Sequence, residues 1–182
     1  LPFYFVPEDG AEKKERTDRV PYLTWAKQGR ITLTSGDQID FTVIRDKLLE
    51  LVDKYQIVDI AFDPWGATYF VQELQEKYGL PMVEFRQGTV SMSEPTKELE
   101  SLLSKGVINH GNCPILQWMA SNVVIEEKDG GLIRPSKNKS IDKIDGIVAL
   151  IMAVGRWMAN EMGGANKPSV YEAEADDIVT WI

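Results

Sequence analysis

Ile57-Val58-Asp59-Ile60-Ala61-Phe62-Asp63-Pro64-Trp65-Gly66-Ala67 is an apolar run that halts on an acid followed by proline. Pro64 has no N–H to give to a ladder and holds the residue before it out of the helical region, so the run predicts a buried strand ending at Asp63. Segments of the two periodicities alternate around it. Arg30 to Thr34 alternates as a strand, and Asp40 caps a helix to about Tyr55 whose buried stripe is Val43, Ile44, Leu48, Leu49, Leu51 and Val52. Ala67 to Tyr78 is an amphipathic helix closed by Gly79, and Met82 to Phe85 is a short strand. This order predicts an α/β fold with parallel pairing and helices covering the sheet.

Further elements follow outward. Leu1 to Pro7 reads as an aromatic strand, Glu8 to Arg19 as a charged surface helix, and Val20 to Gly29 as a second short helix. Ser93 or Glu94 starts a helix through Leu103, Gly106 ends it, and Pro114 opens another through Ala120. Val123 to Glu127 and Gly131 to Arg134 form a hairpin around an Asp-Gly turn, after which comes a lysine-rich loop.

Ser140-Ile141-Asp142-Lys143-Ile144-Asp145-Gly146 leads into the apolar run Ile147 to Val154. Asp142 and Asp145 can share one face at a helix mouth, near the positive end of its dipole. Such acids are either helix caps or divalent-metal ligands, and only an acid from elsewhere decides between them. Asp63 is the candidate, because ligands collect at the carboxyl ends of strands in open α/β sheets.

Composition narrows the classes. The 182 residues, 43% hydrophobic, suffice for one domain with a substantial core, and we expect a single domain over 1–182 ending in an acidic tail at 166–182. The longest apolar run falls well short of a membrane span, and no leader opens the chain, so a soluble, intracellular protein is expected. One cysteine, Cys113, and one histidine, His110, count against disulfides, Cys-based zinc and Ser- or Cys-His chemistry. The net charge of −8 means that any DNA contact is local. Arg134, Lys137, Lys139 and Lys143 form a basic cluster, read either as phosphate contacts or as a solvated loop. His110 sits in a polar turn, and Trp118 and Met119 read as core rather than as a base-stacking platform.

Val20-Pro21-Tyr22, Asp63-Pro64-Trp65, Arg86-Gln87-Gly88, Lys97-Glu98-Leu99-Glu100, Trp118-Met119-Ala120-Ser121-Asn122-Val123 and Ile144-Asp145-Gly146-Ile147-Val148-Ala149-Leu150 occur in that order. Together they resemble the nuclease domain of tailed-phage terminase large subunits. The resemblance covers most of the chain and implies an RNase H-like mixed sheet flanked by helices on both faces. It implies a metal-dependent endonuclease that cuts concatemeric double-stranded DNA by two-metal phosphodiester hydrolysis, using Mg²⁺ or Mn²⁺, in the host cell cytoplasm. Its partners would be DNA, the terminase ATPase domain, the small terminase subunit and the portal, with no membrane.

Carried over by residue, Asp63 is the strand-end acid and Asp145 the helix-borne acid. Asp142 stands where some relatives place another metal-side residue. Lys137, Lys139 and Lys143 are candidate DNA contacts beside them. The family's first acid lies on an opening strand ahead of the aromatic strand that begins here at Leu1, so that strand is expected to be missing and the chain to bind metal weakly and cut poorly or not at all. Two other readings stand beside this one. A non-catalytic docking module would contact the portal or small subunit, with the acids as structural caps, and a junction resolvase or transposase core would share the site and differ in partners.

Overall fold

The aromatic start of the chain and the strand read at Arg30 to Thr34 pair with each other: β1 (Phe5–Pro7) runs parallel to β2 (Thr32–Thr34), Phe5 opposite Thr32 and Pro7 opposite Thr34. Proline is tolerated there because it is the last strand residue and the ladder loses little by its missing N–H. The computed structural model describes residues 1–65 and 68–163, which fall into two units, Leu1–Ile57 and Val58–Ile182. The tail expected at 166–182 lies outside the described residues.

In the first unit α1 (Ala11–Asp18) and α2 (Tyr22–Lys27) connect the two strands. Ala11, Val20, Tyr22, Trp25 and Ile31 are buried, and Tyr22 meets Trp25 edge to face with ring centroids 6.0 Å apart. The chain then enters α3 (Phe41–Lys54), capped as read by Asp40, whose Oδ1 accepts from the Thr42 N–H at 2.8 Å. The stripe expected to be buried on α3 is only half-buried, and no α3 residue is fully enclosed.

The second unit opens with β3 (Ile60–Phe62), α4 (Thr68–Tyr78) and β4 (Met82–Glu84). The strands are parallel, Ile60 opposite Met82 and Phe62 opposite Glu84, as a strand–helix–strand crossover requires. β3 is shorter and less buried than the apolar run suggested: three residues, all half-buried. Gly79 follows α4 with φ 65°, a left-handed conformation that ends a helix cheaply only for glycine.

α5 (Thr89–Ser104) begins well before the expected Ser93 or Glu94 and holds Pro95 inside it. Tertiary contacts override the local signals. Ser93 is 0% exposed, and its hydroxyl accepts the Ile133 N–H at 3.1 Å, so it serves a neighbouring strand and not a helix end. Next come α6 (Pro114–Asn122), β5 (Ile125–Lys128), a 3-10 turn (Asp129–Gly131) and β6 (Leu132–Pro135). β5 and β6 pair antiparallel, Glu126 opposite Arg134, which is the expected hairpin. Strand pairing among the described residues is therefore mixed, in three two-stranded ladders.

The long apolar run becomes α7 (Asp145–Gly163). Ile144, Val148, Ile151, Met152 and Val154 pack with Phe85, Met92 and Leu99 into the core of this unit. Gly155 brings α7 hard against its neighbours: a Cβ there would lie 2.7 Å from Phe85 Cε2 and 2.9 Å from Pro95 Cγ. At the next residue the guanidinium of Arg156, whose side chain is 11% exposed, grips Asp59 Oδ2 through Nε at 3.0 Å and Nη2 at 2.8 Å, with Asn160 Nδ2 adding a bond at 3.1 Å. No helix among the described residues is long and apolar enough to cross a membrane.

Candidate metal and nucleic-acid site

Asp63 follows the last residue of β3, where the proline argument put it. It is half-buried, and its Oδ1 accepts the Trp65 N–H at 3.2 Å, a turn that the acid makes with its own chain. Asp145 is the first residue of α7. Its Oδ1 is 3.2 Å from Lys137 Nζ, and the two side chains are 64% and 52% exposed.

Asp142 does not share a helix face with Asp145. The helix begins later than that pairing needs, because the Ile144 carbonyl accepts its first bonds, from Ile147 and Val148 at 3.0 Å each. The Lys143 carbonyl is turned aside to Asn122 Nδ2 at 3.1 Å, and Asp142 Oδ1 takes the Lys143 N–H at 2.7 Å. Asp142 is thus a loop residue ahead of the helix. Gly146, in the first turn, directs its N–H to Met119 Sδ at 3.1 Å. Met119 is buried and Trp118 half-buried, in keeping with their reading as core residues.

The lysine-rich loop is tied down. The Ser136 carbonyl accepts from the Lys139 and Ser140 N–H groups at 3.2 and 2.9 Å and from the Ser140 hydroxyl at 2.7 Å, while Ser140 Oγ accepts the Val124 N–H at 3.2 Å. From this frame Lys137 reaches Asp145, Lys139 Nζ reaches Glu126 Oε1 at 3.0 Å, and Lys143 is exposed. Glu126 was not singled out from sequence. Its carboxylate also receives Lys128 at 3.0 Å and Arg134 at 3.3 Å. Hydrogen bonds from Lys139 first, then Lys128, then Arg134, hold its pKa down at about 2 against the opposing effect of burial. The signal was available, since the Asp-Gly hairpin sets Glu126 across from Arg134 and on one face with Lys128.

Arg134, Lys137, Gln87 and Asn138 border a cleft of about 200 Å³ that reaches Val148 on the first turn of α7. The donor type fits Mg²⁺ or Mn²⁺, which prefer carboxylate oxygens. The number falls short: among the described residues no three His, Cys, Asp or Glu side chains gather around a common point.

Comparison with known proteins settles the family. Residues 2–161 match the family described as the terminase large subunit, endonuclease domain. This chain belongs to that family. The large terminase subunit of Enterobacteria phage HK97 is 33% identical over 167 residues, which cover 90% of this chain and 33% of that protein. Protein YmfN of Escherichia coli K12 is 34% identical over 166 residues, 88% of this chain and 36% of that protein. The crystal structure of the HK97 large terminase superposes with a TM-score of 0.80 at 33% identity, covering 86% of this chain and 33% of that one. The terminase domain described here is therefore an RNase H-like α/β fold, and the chain spans about a third of the length of these relatives.

Proposed function

We propose that this terminase domain is the DNA-cutting part of a packaging motor and hydrolyses phosphodiesters of double-stranded DNA at a site that includes Asp63 and Asp145. The observation that supports this most is their placement: within an endonuclease-family match, one acid stands at the carboxyl end of β3 and the other on the first residue of α7. Divalent ions held there would, when bound, stabilise charge on the attacking and leaving oxygens of the phosphate. The chain's own residues hold and orient. Asp63 and Asp145 offer ligand oxygens, while Lys137, Lys139 and Lys143 hold DNA phosphates near them. Because the acids in hand are too few for a full cage, the reading includes weak ion affinity, Asp142 as an auxiliary oxygen, and completion by a further acid. The ATPase domain, small subunit and portal are its proposed partners, and the host cytoplasm its place of work.

The test is thermal unfolding with and without Mn²⁺ or Mg²⁺, beside nicking of supercoiled plasmid. An ion at about ten times its Kd raises stability by about 1.4 kcal/mol, or roughly 3 to 5 °C in Tm for a chain of this size. The expected result is a rise of that order in the unaltered chain, absent in Asp63→Asn and in Asp145→Asn. A docking module without a cutting role gives no ion-dependent rise and no nicking, and a rise unchanged in both variants removes these acids from the site.

A further inference from the structure

On one face of the hairpin a single carboxylate gathers more positive charge than it can neutralise. Glu126 is 10% exposed at its side chain and uses both oxygens: Oε1 takes Lys128 and Lys139 at 3.0 Å each, and Oε2 takes Arg134 Nη2 at 3.3 Å. Three cations on one anion leave a local surplus of two positive charges in a chain of net charge −8. The cations keep part of their surface in solvent, with Lys128 47%, Lys139 58% and Arg134 34% exposed. Each ammonium and the guanidinium therefore retains N–H donors for a second acceptor.

The surplus is continuous with the cleft beside α7. Arg134 belongs to both, and next to it the cleft presents Lys137, Gln87 and Asn138, all hydrogen-bond donors. Among the described residues no carboxylate lines that cleft, although Lys137, on its rim, contacts Asp145. We infer that Glu126 is a positioning residue that spreads Lys128, Arg134 and Lys139 into a track for the phosphate backbone of duplex DNA, running through the Arg134–Lys137 cleft toward Asp145. The occupant follows from charge and donor chemistry: a repeating anion with several acceptor oxygens satisfies separate cations that a single carboxylate cannot. This rests on the reading of the domain as a DNA endonuclease.

Glu126→Gln makes the chain more positive by one charge, which by net charge alone strengthens DNA binding. If Glu126 holds the track in shape, the variant must instead order three loose side chains on binding and binds roughly three- to tenfold more weakly. The assay is fluorescence anisotropy of the chain with a labelled duplex in EDTA, over roughly 50 to 200 mM salt. Lys139→Gln and Arg134→Gln should each flatten the slope of log K against log salt by about 0.9, and these two decide the matter should Glu126→Gln fail to fold. Equal or tighter binding by folded Glu126→Gln, or unchanged slopes in both cation variants, overturns the track. A chain that binds duplex while these variants behave as wild type loses the track and keeps the endonuclease reading. A chain that binds no duplex at all loses both, and nicking that survives in Asp63→Asn and Asp145→Asn with the track variants behaving as expected removes only the acids.

Discussion

Replacing Gly155 by alanine sets two rules against each other on one methyl group. In the interior of a helix alanine is favoured over glycine by about 1 kcal/mol, so secondary-structure preference alone makes Gly155→Ala stabilising. Packing says the reverse. The added carbon would sit 2.7 Å from Phe85 Cε2, 2.9 Å from Pro95 Cγ and 3.0 Å from Phe85 Cζ, where comfortable carbon contacts lie at about 3.5 to 4.0 Å. Something must therefore retreat by nearly 1 Å, and both neighbours are poor at it. Phe85 is 3% exposed within the core, and Pro95 is a closed ring fixed in α5 and fully buried. Overpacking of this kind costs about 1 to 3 kcal/mol, and two stiff partners put the cost near the top of that range. The net expectation is a loss of about 2 kcal/mol, or a Tm lower by roughly 4 to 8 °C, read by circular dichroism at the helix band. Adding Phe85→Leu, which opens the space, should recover part of the loss, so the pair is non-additive. A Tm for Gly155→Ala at or above that of the unaltered chain refutes the packing argument outright.

Asp59→Ala takes the carboxylate from Arg156 and Asn160 where both Asp59 and Arg156 side chains are 11% exposed; breaking a buried pair from one side costs about 3 to 5 kcal/mol, so Tm should fall by roughly 10 °C. The double variant Asp59→Leu with Arg156→Leu, in urea unfolding, should lose less than the sum of the single leucine variants; strict additivity would mean the pair carries no coupling. Glu126 titrates at about 2 when folded against an ordinary 4.5, a depressed carboxyl whose stabilisation is complete above pH 4.5 and disappears as pH falls from there toward 2. Unfolding curves of the unaltered chain and Glu126→Gln should accordingly differ at neutral pH and converge near pH 2, and a gap independent of pH would contradict the three-cation arrangement.

What could be read from the residues was whatever short-range chemistry decides. Pro64 stops β3 just ahead of Asp63, Asp40 caps α3, Gly79 ends α4 and an Asp-Gly pair turns the hairpin, each within a few residues of its cause. Errors arose where a distant partner outbid the local signal. Ser93 looked like a helix start, and instead its hydroxyl serves Ile133 forty positions on. Asp142 looked like a helical neighbour of Asp145, but Asn122 claims the carbonyl beside it and holds that residue in a loop. Among the candidate site residues, the element ends carrying Asp63 and Asp145 were legible. The pairing of Lys137 with Asp145 and of Lys139 with Glu126 was not, because it depends on how the serine-braced loop lies against the hairpin and α7. The role of Asp59 is hidden for the same reason: its partners Arg156 and Asn160 lie far along the chain, and nothing in its own apolar surroundings announces an ion pair.

The clamp on Arg156 bears on Asp145 through plain leverage. About 16 Å of helix separates the two residues, so a tilt of only a few degrees about the Asp59 anchor swings the leading carboxylate by about 1 Å. A site of the kind proposed for Asp145 would tolerate about half an ångström. Under the proposed function the far end of α7 would work as an aiming screw, and a substitution there that leaves the protein fully folded would still spoil alignment at the tip.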